Sequence, residues 1–185
     1  MPRRPAFTPH ALDVASFCRD GARLQGQRPL SDLARLAEGV LPGSDAAVDW
    51  AASGSMGRAG GALRARLHLR ISSTVALQCQ RCLQPMLQAL EVERDFDFVE
   101  GEDEAARLDE EEPESDVLAL EPRFDLHRLV EDELLLALPI VPRHGICPEL
   151  PAQLLPAADA GDSALPGAAA TDHPFAALAA LRRKT

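Results

Sequence analysis

No apolar run in this 185-residue chain approaches the ~18 residues that a membrane-spanning helix needs. The opening MPRRPAFTPHALDVASF carries arginines but no unbroken apolar segment ahead of a small-residue cleavage site, so no signal peptide is expected. Cysteine is scarce, with four in the chain. Without a secretory signal they point to a reducing compartment, where thiols stay free or bind metal. A cytoplasmic protein without a membrane segment is the expectation. Catalytic fingerprints are also lacking: there is no P-loop, no Gly-x-Ser-x-Gly elbow and no dinucleotide-binding glycine run. Glu131, Asp132 and Glu133 are consecutive, so on a helix they fan around the axis instead of converging. His127 and Glu131, at i and i+4, read as a solvated contact. The chain is expected not to be an enzyme.

Bases are almost missing from one stretch. Between Glu100 and Glu121 there are eleven acidic residues and a single arginine, Arg107. This block accounts for the whole formal charge of −10, and the remainder of the chain is neutral. Like charges packed this densely repel one another, which predicts an acidic loop over 100–121. The overall acidity therefore does not argue against an RNA-contacting face elsewhere.

What is present is a regular α+β pattern. Thr8-Pro9 is a helix-start signal leading to a stop at Gly21, and a second short helix follows Ser31 and ends at Gly39. Residues 46–52 read as a strand, with SGSMGRAGG as a Gly-rich connection behind it. In residues 63–77 the odd positions are apolar except Ser73, and the even ones polar except Ala76. That length exceeds the usual strand of ~3–10 residues, so a bend or bulge near Ser72-Ser73 is expected. LEVERDFDFV alternates in the same way, with Arg94 interrupting its apolar face. FDLHRLVEDELLLALP reads as a buried helix capped by Asp125 and ended by Pro139. The fold class is thus α+β over residues 1–150, an antiparallel sheet with one face covered by helices. An Ala/Pro-rich flexible linker (151–171) and a short C-terminal helix with a basic end (172–185) complete the expected organisation.

Three constellations carry chemistry. Cys79 and Cys82 are spaced as zinc ligands often are, and His144 and Cys147 form a second half-site of equal spacing. Together they would make a Cys3His structural zinc site. Alternatively, Cys79 and Cys82 flank a turn as free thiols, a reading favoured by the long stretch separating the halves. A thiol redox pair fits less well, because thioredoxin-type pairs open a helix and this one follows a strand. Next, Arg64, Arg66, His68 and Arg70 form a basic ladder whose spacing suits phosphates, with Arg81 beyond it. Cross-strand pairing with Glu91, Glu93, Asp95 and Asp97 would neutralise the ladder and is the preferred account. Finally, Phe175, Leu178 and Leu181 could dock a partner while Arg182, Arg183 and Lys184 touch RNA, or simply complement a helix C-terminus.

The stretches LQCQRCLQP, DLHRLVEDELLLALPIVPRH and HPFAALAALRRK, in this order, resemble the YceD family of large ribosomal RNA subunit accumulation proteins. The resemblance implies a non-enzymatic, cytoplasmic ribosome biogenesis factor supporting synthesis, processing or stability of 23S rRNA. Its implied partners are that RNA or a large-subunit assembly protein. Residues matching the family motifs are Cys79, Arg81, Cys82, Glu131, Asp132, Glu133, Pro139, His144, Cys147, Pro174 and Phe175. The alternative from another class is a zinc-stabilised protein-interaction adaptor with no direct RNA contact.

Overall fold

The computed structural model describes residues 7–42, 46–59, 62–111 and 116–148. Along the chain come α1 (Val14–Arg19), β1 (Arg23–Pro29), α2 (Ala34–Gly39), β2 (Ala47–Ala59), β3 (Ala62–Gln78), β4 (Pro85–Val99), α3 (Glu102–Glu111), β5 (Asp116–Ala119) and α4 (Leu126–Ala137). The strands form one sheet in the order β1-β2-β3-β4-β5. Neighbours are antiparallel except β4 and β5, which run parallel. The architecture is α+β, with that one parallel pair added to the antiparallel sheet expected.

From Ala65 on, the alternation in β3 sorts its side chains as period two requires, whereas at the start of the strand Leu63 is exposed and Arg64 buried. Ala65, Leu67, Leu69, Ile71, Val75 and Leu77 are buried. Both exceptions to the apolar face have uses. Ser73 donates its hydroxyl to the carbonyl of Ala47 at 3.0 Å. Arg94 lies opposite Leu69 and reaches Asp116 and Glu133, each at 3.4 Å.

On the core face, α1 lies against β2 and β3, α4 against β4, and α2 against α4. Asp13 starts α1 by accepting the backbone N–H of Ser16 at 3.0 Å. The helix then seats Phe17 and Cys18 on Gly54, where an added Cβ would lie 2.7 Å from the Cys18 Cα. Only glycine allows this approach. Among the described residues α2 has no side-chain cap of its own; Glu131 of α4 supplies one, its Oε1 accepting the N–H groups of Arg35 (2.8 Å) and Leu36 (3.2 Å).

Several expectations are corrected. The first helix begins at Val14, not Thr8-Pro9, because Asp13 provides the cap. Most of SGSMGRAGG is strand, because β2 continues to Ala59 and pairs with β3 from Asp49 to Ala59; its last two glycines lie outside the described residues. No bulge interrupts β3 at Ser72-Ser73, since its register to β4 runs unbroken from Ala65 to Gln78. Its length is shared between partners, β2 covering one end and β4 extending over the other. The acidic segment is not a loop throughout, because it holds α3 and β5. Arg107 ties Glu104 and Glu111 along one face of α3, reducing the repulsion. Ala105 and Leu108 of α3 pack with Val117, Val99 and Ala119, an apolar contact that outweighs the remainder. This helix covers one end of the second sheet face, where sheet alternation also places Asp97. The proposed linker (151–171) and C-terminal helix (172–185) lie outside the described residues.

Candidate metal centre and charged sheet face

The turn between β3 and β4 is built by its own backbone. Cys79 donates N–H to the Gln84 carbonyl at 3.0 Å, and Leu83 donates to the Cys79 carbonyl at 2.9 Å. Leu83 takes a left-handed φ of 61°, which sharpens the turn and brings Cys82 round beside Cys79. At the far end of α4, Leu138 leaves the helix in extended geometry, as a residue before proline must. The chain then returns to the turn, where Gln80 donates N–H to the Pro142 carbonyl at 2.8 Å. The two half-sites, sixty residues apart in sequence, are thereby united.

One ligand atom from each of Cys79, Cys82, His144 and Cys147 lies within 4.8 Å of all the others. The Cys79 and Cys147 sulfurs are 3.8 Å apart, and Cys82 Sγ is 3.3 Å from His144 Nδ1. Bonds of about 2.3 Å to sulfur and 2.0 Å to nitrogen in a tetrahedron require about 3.8 Å between sulfurs and 3.5 Å between sulfur and nitrogen. The residues fit a Cys3His zinc site. Around them stands a supporting shell. His144 Nε2 is 3.2 Å from the Pro85 carbonyl, which holds Nδ1 toward the thiols. Arg81 donates through Nε to Cys147 Sγ at 3.0 Å and through Nη2 to the His144 carbonyl at 3.2 Å. Burial opposes ionisation of Cys79, yet backbone N–H groups of Cys82, His144 and Arg81 outweigh it and draw the thiol down to about 5. Burial and the neighbouring sulfurs push Cys82 the other way. The fourth cysteine, Cys18, stands apart under Gly54, and burial raises its thiol to about 11.

Three rungs of the basic ladder are paired across strands. Arg66 makes a two-pronged pair with Asp97, both bonds 2.7 Å, and Asp97 is fully buried. His68 Nδ1 lies 2.8 Å from Asp95, and Arg70 donates to Glu93 at 2.6 Å. Each pair follows the β3–β4 register. Arg64 is buried as well. The preferred account, pairing across strands, holds for Arg66, His68 and Arg70.

The acidic triplet on α4 also has structural partners. Glu131 and Asp132 both bind Arg35. Glu133, buried beside Arg94, has its carboxyl raised chiefly by that burial. His127 is not a solvated partner of Glu131; it is buried against Trp50 with ring centroids 5.3 Å apart. Burial brings its imidazole down to about 4, so it is neutral at neutral pH. Arg35 and His10 were missed by sequence reasoning, because both act through partners far away in the chain and sit in no motif. Phe175, Leu178, Leu181, Arg182, Arg183 and Lys184 lie outside the described residues.

A family model described as large ribosomal RNA subunit accumulation protein YceD matches residues 67–182, more than half of the chain. All four Cys3His residues fall within the match. A curated protein of Haemophilus influenzae bearing the same description is 42% identical over 77 residues, covering 40% of this chain and 42% of that protein. The chain thus spans less than half the length of this relative. The comparison with solved structures gives no match. Among the described residues, no helix is long and apolar enough to cross a membrane.

Proposed function

This chain belongs to the YceD family, and from that premise we propose that it is a non-enzymatic, cytoplasmic ribosome biogenesis factor that supports 23S rRNA accumulation. It does so by binding a large-subunit assembly protein through the surface around the Cys3His cluster. One observation carries the choice of a protein over RNA as the direct contact. Leu83, Ile140 and Ile146, beside the cluster in sequence and joined by its turn, are 58%, 100% and 91% exposed. Exposed large apolar side chains suit a protein contact better than a phosphate backbone. The cations best spaced for phosphate are meanwhile engaged by carboxylates on β4. Cys79, Cys82, His144 and Cys147 would hold zinc, which supplies a cross-link between the β3–β4 turn and the segment after α4.

Crosslinking in cells tests the partner. The expected result is recovery of a large-subunit assembly protein that depends on Ile140 and Ile146, with Ile140→Ser and Ile146→Ser together reducing it at least about tenfold, as loss of ~1.4 kcal/mol of binding would. Recovery of rRNA unaffected by this double substitution supports direct RNA contact instead. If neither rRNA nor an assembly protein rises above background, the ribosomal reading fails.

A further inference from the structure

We propose that His10, Asp125 and His127 form a second metal site, at the head of α4, for a divalent first-row transition ion such as zinc. One ligand atom from each of these residues lies within 4.8 Å of the others. His127 Nδ1 is 3.1 Å from His10 Nε2 and 3.3 Å from His10 Nδ1. His10 Nδ1 is 3.8 Å from Asp125 Oδ1. Two nitrogens on one tetrahedral ion, each bonded at about 2.0–2.1 Å, stand about 3.3–3.4 Å apart. The nitrogens already stand at about that separation, but the rings cross edge to face with centroids 4.2 Å apart, so the exposed His10 ring has to turn for one of its nitrogens to face the ion.

Backbone links fix the arrangement. Leu12 and Phe124 exchange N–H bonds of 2.8 and 3.1 Å, and Leu126 donates to the Pro9 carbonyl at 2.8 Å. His10 is thereby held beside the residue that begins α4. Asp125 is oriented by the N–H groups of His127 and Arg128, which its Oδ1 accepts at 2.9 and 3.2 Å. The His127 ring is packed edge to face on Trp50. Its Nε2 is buried without a hydrogen-bond partner among the described residues, so Nδ1, facing His10, is the nitrogen left for a ligand. The His10 side chain, by contrast, is 64% exposed. A buried, preset imidazole and an exposed, movable one give an ion access from solvent and leave a coordination position for water. Two imidazoles and one carboxylate suit zinc, cobalt, nickel or ferrous iron. No thiol takes part, which separates this site chemically from the cysteine cluster.

Native mass measurement on the full chain, stripped by chelator and reloaded with zinc, tests the site. His10→Ala is expected to carry one ion fewer than the unmodified chain. Because His10 is exposed, the metal-free variant should unfold along the same curve as the metal-free unmodified chain. In cobalt-loaded samples the thiolate-to-cobalt charge-transfer band should be identical in both. Equal ion counts in the two proteins overturn the proposal and leave a hydrogen bond between imidazoles only. Absence of the charge-transfer band from both, with a His10-dependent ion retained, sinks the cysteine-site reading and supports this one.

Discussion

Arg66→Ala is expected to destabilise the domain by about 3–5 kcal/mol, the usual cost of removing one partner from a buried ion pair. The asymmetry between the partners sets the size. Asp97 is fully buried, whereas the Arg66 side chain is 33% exposed. Removing the arginine leaves the fully buried Asp97 carboxylate without the two 2.7 Å hydrogen bonds that satisfy it. Chemical denaturation measures the loss. Arg70→Ala is the control: its pair with Glu93 is exposed on both sides, so the change should stay below about 1 kcal/mol. If both variants keep full stability while RNA binding falls and its salt dependence flattens, the ladder reads phosphate and the pairing account is wrong.

Metal removal has the second large effect. An ion present at about a thousandfold its dissociation constant stabilises the folded form by about 4 kcal/mol. For a chain of this size that corresponds to a fall in Tm of about 8–16 °C on chelation. Cys79→Ser should already sit at the lower midpoint and show no further response to chelator. Cys18→Ser should retain the thiolate-to-cobalt band, because Cys18 donates to the Arg66 carbonyl far from the cluster. A chelator-insensitive midpoint in the unmodified chain, together with no cobalt band, would mean that Cys79, Cys82 and Cys147 are ordinary thiols.

The sequence was most informative where one periodic signal dominated. The alternation of β3 placed the buried face, and the Asp125 cap with Pro139 placed α4. The charge ladder and its β4 partners were legible because register follows from two alternating strands joined by a short turn. The edge strand β1 was not legible. RLQGQRP has little apolar alternation, and Gly26 is there to receive the Trp50 indole, an added Cβ lying 2.8 Å from it. The acidic segment misled for a different reason: net charge concealed Ala105, Leu108 and Val117, whose packing decides the local structure. For the cluster, spacing gave the two half-sites but not their union. That union depends on Gln80 meeting Pro142 and on the left-handed Leu83, neither of which any local pattern announces. The His10 and His127 pair is illegible for the same reason, since the Leu12–Phe124 bridge that creates it spans most of the domain.

The most direct measurement of the central claim is the ratio of large- to small-subunit rRNA in cells. Depleting the chain should lower that ratio; re-expression of the unmodified chain should restore it, and Cys79→Ser with Cys82→Ser at matched protein level should not. An unchanged ratio on depletion would contradict the assigned role, and full restoration by the doubly substituted chain would contradict the part given to the cysteine cluster.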